Sequence, residues 1–496
     1  MLKEKKYIGF DLGAESGRCT VAVFKDNKIT LTEVHRFVTH NVKYSGGFHW
    51  DILAIYKEII EGISNAVKKY GPEFDGVGVD TWGVDYVLID SEDRILSYPY
   101  HYRDDRTDNI MDEAFNIVSK NEIYALSGIQ FAQFNTVFQL LAESRRKLNL
   151  LTVADKMLLM PDYLNFLLCG KKKAEYSIAS TTGLIDPVTR NWSWELIDKF
   201  GFPRSIFPEV TEPGTKLGNI LPSISQLTGI SSNVPVYASA CHDTASAVVS
   251  VPADGGTWAF LSSGTWSLMG IELKEPFRTE KAFAYNFTNE GGVEKTIRFL
   301  KNILGFWPLQ ECRRYWIDKG KEYTYPQLVQ FAKEYGHANA WVDLNDQRFL
   351  KAGHMPEKIT AYLKETNQPV KDEPGFITAV ILESLAYSYR NTIKEIEDAA
   401  GVKIEKLHAV GGGIQNELLN QYTADAIGKP LYTGPVEGTI IGNAGVQLIA
   451  SGAVRNLAEW RKIVRVSFEI NQYEPAGSDY FNQNESNFNK VLMNNL

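Results

Sequence analysis

Cysteine is scarce in this chain: four in 496 residues, Cys19, Cys169, Cys241 and Cys312, with no CxxC spacing. That pattern offers neither a zinc site nor a disulfide framework and fits a reducing compartment. No run of about 18 apolar residues occurs, so no bilayer-spanning helix is expected. The opening MLKEKKYIGFDLG has the lysines of a secretion signal, but Asp11 breaks its apolar stretch too early. An excess of positive charge is also missing. Lys and Arg number 52 against 60 Asp and Glu, a formal net charge of −8, which argues against nucleic acid or an anionic membrane as partner. Phosphorylated ligands remain open, because backbone amides bind phosphate without a basic patch. The motifs GxxxxGK[ST], GxGxxG after a strand, HExxH and GxSxG are all absent, which removes the usual support for P-loop, dinucleotide, zinc-protease and hydrolase-elbow chemistry. A hydrophobic content of 44% is ordinary for a soluble, cytoplasmic protein, and the length suits two to four domains at roughly 150 residues each.

Short apolar strands alternate with helical patterns, which reads as α/β. Residues 7–12 and 19–24 read as two strands joined through the turn Gly13–Arg18, and a third lies near 29–37. A helix capped by Asp51 follows, then one apolar strand over 76–90. The opening recurs at 257–273, where Ser263-Gly264-Thr265 overlays Leu12-Gly13-Ala14. A helix over 377–400 stopped by Gly401, a strand over 407–410, a Gly411-Gly412-Gly413 turn and a helix over 416–427 complete a second half. The halves meet near Pro252–Gly256. The chain thus divides into 1–245, 246–455 and a C-terminal extension 456–496, of which the Asn-rich stretch from 477 reads as a loose tail.

Chemistry concentrates in the turns that leave these strands. In Asp11-Leu12-Gly13-Ala14-Glu15-Ser16-Gly17-Arg18, small residues and successive amides make a donor nest for an anion, or else a plain hairpin. Asp11, at the strand end, suits a hydrated Mg²⁺. The turn Ser262–Thr265 repeats this chemistry with hydroxyls, and Gly411–Gly413 before a helix suits a phosphate equally with a tight connection. In Cys241-His242-Asp243-Thr244, Asp243 is either a helix cap or a general base acting on a substrate hydroxyl. The carboxylates, guanidiniums and rings of Asp80–Asp85 and Tyr102–Thr107 suit a polyol or an internal salt-bridge network.

Taken together, DLGAESGR, GVDTWGVDYVLID, YRDDRT, LMPDYL, ACHDTASAV, LSSGTWSLMG, TNEGG, LKNILGFWPLQ, VGGGIQN and GNAGVQ resemble the FGGY carbohydrate kinases, in order, over residues 7–452. The resemblance implies two duplicated ribonuclease H-like (actin-like ATPase) domains with an interdomain cleft. The N-terminal one would bind sugar and the C-terminal one ATP. It makes Asp243 the general base, with Gly83, His242, Thr244 and Asn302 at the sugar. Ala14, Glu15, Ser16, Gly17, Arg18, Thr265, Gln310 and Gly412 then fall at ATP, with Mg²⁺ held through water by Asp11. Glu15 departs from the family, which has a small hydroxyl residue there, and its carboxylate would repel phosphate unless it faces solvent or the cation. The implied activity is ATP-dependent phosphorylation of a deoxyketose, L-rhamnulose before L-fuculose, by a monomer or weak homodimer. A sugar sensor without catalysis is the alternative on the same fold.

Overall fold

In the computed structural model, which describes residues 4–493, the chain forms two compact units. The first comprises 1–250, 272–299 and 438–468; the second comprises 251–271, 300–437 and 469–496. Sequence-contiguous halves divided at 245 and 455 are therefore not the compact units. Two late helices, Gly438–Ala450 and Leu457–Ser467, bury Ile440, Ile441, Trp460 and Val464 in a core shared with Tyr7, Phe24, Ala245 and Val249 of the first unit.

The first unit is built on a six-stranded sheet ordered Thr215–Asn219, Pro235–Ala238, Gly76–Thr81, Lys5–Leu12, Ser16–Lys25, Lys28–Val38. A second sheet has seven strands, Asn471–Tyr473, Leu431–Thr433, Lys406–Val410, Trp258–Ser263, Trp266–Leu273, Ile297–Leu304 and Thr288–Gly291, and its first six repeat that order. Pairing repeats as well. In each unit the leading strand runs antiparallel to its hairpin partner and parallel to the strand on its other side. The duplication inferred from the glycine turns is thus a duplication of topology.

Strand alternation explains how the first sheet is covered. Ile8, Phe10, Val77 and Val79 face a core with Ile55, Ile59 and Ile63 of the helix Ile52–Tyr70. The opposite face carries glycine and carboxylate, Gly9 and Asp11 beside Gly76, Gly78 and Asp80. A Cβ at Gly78 would stand 2.8 Å from Asn443 and 2.9 Å from Gln447. Glycine there lets polar side chains of the helix Gly438–Ala450 reach the sheet, where Gln447 Nε2 donates to Ile8 O at 3.0 Å.

The single strand expected over 76–90 is two, Gly76–Thr81 and Tyr86–Ile89, and the latter pairs with Lys156–Leu159 in another sheet. The break is Trp82–Asp85. Val84 takes φ +69°, an unfavourable region for a β-branched residue. It is held there by Thr181 Oγ1 on its N–H (3.1 Å) and Thr136 Oγ1 on its C=O (2.6 Å). The tail is not loose either. Ser478–Met493 is a helix that buries Phe481 and Phe488 in the second unit, with Phe488 stacked on Tyr387 at 4.7 Å and Tyr480 Oη donating to Glu383 at 2.7 Å. All four thiols are buried and unbonded, and burial pushes each one's pKa up, so they are poor nucleophiles. No helix among the described residues is long and apolar enough to cross a membrane.

Candidate active site

Asp243 opens the helix Asp243–Val249, whose N-cap residue is His242 without a side-chain cap bond. Of the two readings of Asp243, the helix cap is therefore not the one the structure shows. Instead the carboxylate folds back over its own turn: Oδ1 accepts from the Thr244 backbone N–H and from Thr244 Oγ1 at 3.1 Å. His242 Nε2 lies 3.3 Å from the same oxygen. Among the described residues Oδ2 accepts no hydrogen bond, and about a third of the side chain (33%) is exposed. Burial raises the Asp243 pKa, the neighbouring His242 works the other way, and the charge of Asp11 adds to the rise. A carboxylate with one oxygen saturated and the other open, and with raised basicity, is suited to general base chemistry.

The backbone that carries it is anchored to the sheet. Thr81 N donates to Cys241 O at 2.9 Å, and Cys241 N donates to Glu175 Oε2 at 3.1 Å. Behind His242, whose ring is buried, Arg298 Nη2 approaches Nδ1 at 3.1 Å. Asp11 and Asp80 stand side by side in register at the ends of parallel strands. Arg18 binds Asp11 Oδ2 through Nε (2.9 Å) and Nη2 (2.6 Å). Asp80 is fully buried; Asn443 Nδ2 donates to its Oδ2 at 2.6 Å, while Oδ1 has no partner among the described residues. Burial, then the charge of Asp11, pushes its pKa well up.

The hairpin turn of the first unit is closed by Gly13 N donating to Ser16 O at 3.0 Å and tied to Thr39, whose Oγ1 donates to Gly13 O at 2.7 Å. Gly17 is required, since a Cβ would meet the Phe37 ring at 2.3 Å. Ala14 is half-buried, Ser16 is exposed, and Glu15 also points to solvent, which removes the repulsion expected of a carboxylate in this turn. In the second unit, Gln310 Nε2 donates to Thr265 Oγ1 at 3.1 Å, and its Oε1 is buried without a partner. Gly411 and Gly413 press on Ser263 of the same turn, with open space above Gly412. Thr265, Gln310 and the Gly411–Gly413 turn are thus brought together, and Asn302 stands on the strand Ile297–Leu304 of that unit.

A Cβ added at Gly83, in the turn that precedes Asp85, would stand 3.2 Å from Thr181. Of the residues read as polyol-binding or as a network, Asp85, Asp104 and Arg106 are network. Asp85 Oδ2 accepts from Trp50 Nε1 (2.6 Å), Trp82 Nε1 (3.0 Å) and Tyr102 N (3.1 Å), and Oδ1 accepts from Gln139 Nε2 (2.9 Å). Asp104 accepts from Phe48 N and Arg106 N, and Arg106 donates to Gln139. Burial lifts the Asp85 pKa to about 6 against these donors. The fold therefore holds a proton there that the unfolded chain has already released, and this group makes stability fall as pH rises from its ordinary value of 3.8 to about 6, and level above it. Asp85→Asn is expected to cost about 1–3 kcal/mol, because its amide would face the Gln139 amide, donor against donor. A lower urea midpoint at neutral pH with unchanged slope checks this.

Sequence reasoning missed Glu290, Arg298 and Asn443. Arg298 had a signal, a charge inside the apolar strand Ile297–Leu304; Glu290 and Asn443 had none beyond their places in TNEGG and GNAGVQ.

The model of the FGGY family of carbohydrate kinases, N-terminal domain, matches residues 6–250, and that of its C-terminal domain matches 259–451. A rhamnulokinase of Oceanobacillus iheyensis is 41% identical over 466 residues, 94% of this chain and 97% of its own length. One of Bacteroides thetaiotaomicron is 40% identical over 472 residues, 95% and 96% of the two chains. Among solved structures, a gluconate kinase from Lactobacillus acidophilus superposes with a TM-score of 0.79 at 16% identity, covering 99% of this chain and 98% of its own. Plasmodium falciparum glycerol kinase with ADP gives 0.78 at 14%, covering 99% and 98%. These confirm the two-domain α/β sugar-kinase fold. The chain belongs to the FGGY family of carbohydrate kinases.

Proposed function

We propose that this kinase transfers the γ-phosphoryl group of ATP to O1 of L-rhamnulose, giving L-rhamnulose 1-phosphate and ADP. The observation that carries the chemistry is the half-saturated carboxylate of Asp243. The substrate rests on the rhamnulokinases that match the chain nearly end to end. Asp243 orients the acceptor hydroxyl and takes its proton as the oxygen attacks phosphorus in line; most of the remaining work is positioning and charge stabilisation. His242, Thr244, Gly83 and Asn302 hold the sugar. The turn Ala14–Arg18, Thr265, Gln310 and Gly412 hold the nucleotide, to which the buried, unpartnered Gln310 Oε1 offers an acceptor.

The residues present fit Mg²⁺. Arg18 occupies only Oδ2 of Asp11, and its other carboxylate oxygen, which accepts no hydrogen bond among the described residues, is a donor suited to a hard cation. Mg²⁺, held through water by Asp11, neutralises phosphoryl charge when bound. The enzyme acts in the cytoplasm, as a monomer or weak homodimer.

The test is ADP release with Mg·ATP across L-rhamnulose, L-fuculose, D-xylulose, L-ribulose and glycerol. Strong turnover with L-rhamnulose is expected. Preference for another ketose overturns the substrate and keeps the chemistry. Silence across the panel from a folded, ATP-binding sample favours a sensor.

A further inference from the structure

Behind the proposed base lies a buried ionic pair with no assigned part in the reaction. Arg298 is fully buried on the largely apolar strand Ile297–Leu304, and Glu290 is nearly so on the strand Thr288–Gly291. Arg298 Nε donates to Gly291 O at 2.8 Å, while Nη2 lies 3.1 Å from Glu290 Oε2 and 3.1 Å from His242 Nδ1. Glu290 Oε2 is 3.3 Å from Nδ1 but makes no hydrogen bond among the described residues. Burial works to raise the Glu290 pKa, and Arg298 and His242 together outweigh it, so Glu290 stays ionised.

A guanidinium has donors only. A His242 ring that takes a hydrogen bond from Arg298 must offer a bare Nδ1, so its proton is on Nε2. That nitrogen faces Asp243 Oδ1. Oδ1 thus accepts from the Thr244 N–H and hydroxyl with the Nε2–H standing 3.3 Å away, while Oδ2 accepts no hydrogen bond among the described residues. We infer that Arg298 is a positioning residue for the base: by donating to His242 Nδ1 it fixes the neutral tautomer whose Nε2–H engages Asp243 Oδ1, so that Oδ2 alone receives the proton of the acceptor hydroxyl. In the step, the O–H bond breaks and its proton goes to Oδ2. The electron pair left on oxygen forms the new P–O bond as the bond to ADP breaks. Glu290 serves Arg298 by neutralising a charge that would otherwise be buried alone.

The inference rests on the kinase reading for its consequence and on the tautomer for its substance, and the experiment separates the two. Long-range ¹H–¹⁵N spectra of histidine-labelled protein, assigned with His242→Gln, are expected to show Nε2 protonated and Nδ1 bare in the wild type. Because removing Arg298 alone would strand the Glu290 charge, the disabling variant is Arg298→Met with Glu290→Met, which replaces the pair by apolar volume. In that folded variant a mixture of tautomers is expected, with kcat on L-rhamnulose reduced on the order of 10–100-fold and KM changed less. Arg298→Lys, which keeps one donor, restores the wild-type tautomer and most of the rate. A protonated Nδ1 in the wild type, or wild-type kcat in the folded double variant, overturns the inference. Wild-type protein without turnover refutes the kinase reading, and the spectrum alone then decides the tautomer.

Discussion

Asp243→Asn is expected to leave a folded protein that still binds ADP and to lower kcat by about 10²–10⁴, or roughly 3–5.5 kcal/mol of barrier. The geometry makes this substitution unusually clean. The asparagine carbonyl replaces Oδ1 and keeps its two donors from Thr244, with His242 Nε2 still 3.3 Å away. The amide takes the place of Oδ2, which has no partner among the described residues, so nothing is left unsatisfied and only the base is lost. Stability should hold or rise slightly. A folded-state pKa raised by burial means that the ionised carboxylate disfavours the fold at neutral pH, and the amide removes that charge. The same raised pKa sets the direction of the wild-type pH profile. Turnover needs the carboxylate ionised, so the rate falls with decreasing pH at a higher pH than an ordinary aspartate would give. Steady-state rates with a thermal melt check the variant. A well-folded Asp243→Asn enzyme with near wild-type kcat would falsify the assignment of the base.

What the sequence made legible were features whose partners lie close along the chain. A glycine turn after an apolar strand announces itself within ten residues, and so do the caps of local helices: Asp51 accepts from Ala54 N at 3.0 Å, and Gly401 closes the long helix with φ +66°. Residues defined by distant partners were illegible or ambiguous. Gly76 and Gly78 look like weak points in a strand until Asn443 and Gln447 arrive from over 360 positions away. The run 76–90 has strand-like apolarity throughout, and only tertiary hydrogen bonds to Thr136 and Thr181 reveal that Val84 turns the chain. The C-terminal helix was hidden by its asparagines. Phe481 and Phe488 have the i, i+7 spacing of a buried stripe, yet their core is the helix Pro374–Ala400, about a hundred residues earlier. At the site, Asp243 was legible through its motif, whereas the meaning of Arg298 depends on where His242 stands.

Gly442→Ala should be among the most damaging single-methyl additions in this chain. A Cβ there would lie 1.7 Å from Ser246 O and 2.5 Å from the Ser246 carbonyl carbon. These are backbone atoms of the helix that starts at Asp243, so no side chain can rotate away. Relief requires the two helices to separate by more than an ångström. Where the helix Gly438–Ala450 yields, the 2.6 Å bond from Asn443 to Asp80 and the 3.0 Å bond from Gln447 to Ile8 break, leaving buried polar groups unsatisfied at about 1–3 kcal/mol each; where the helix Asp243–Val249 yields, it shifts the base. Overpacking adds about 1–3 kcal/mol. Together these predict a loss of about 3 kcal/mol or more, and a Tm lower by at least about 5 °C. Molecules that remain folded should also turn over slowly, because the displaced helix carries the base. Gly412→Ala is the control for stability: the same methyl enters open space with nothing within 4 Å and should leave Tm unchanged. Equal melting of both variants would mean that the close crossing at Gly442 does not hold the helix of Asp243 in place.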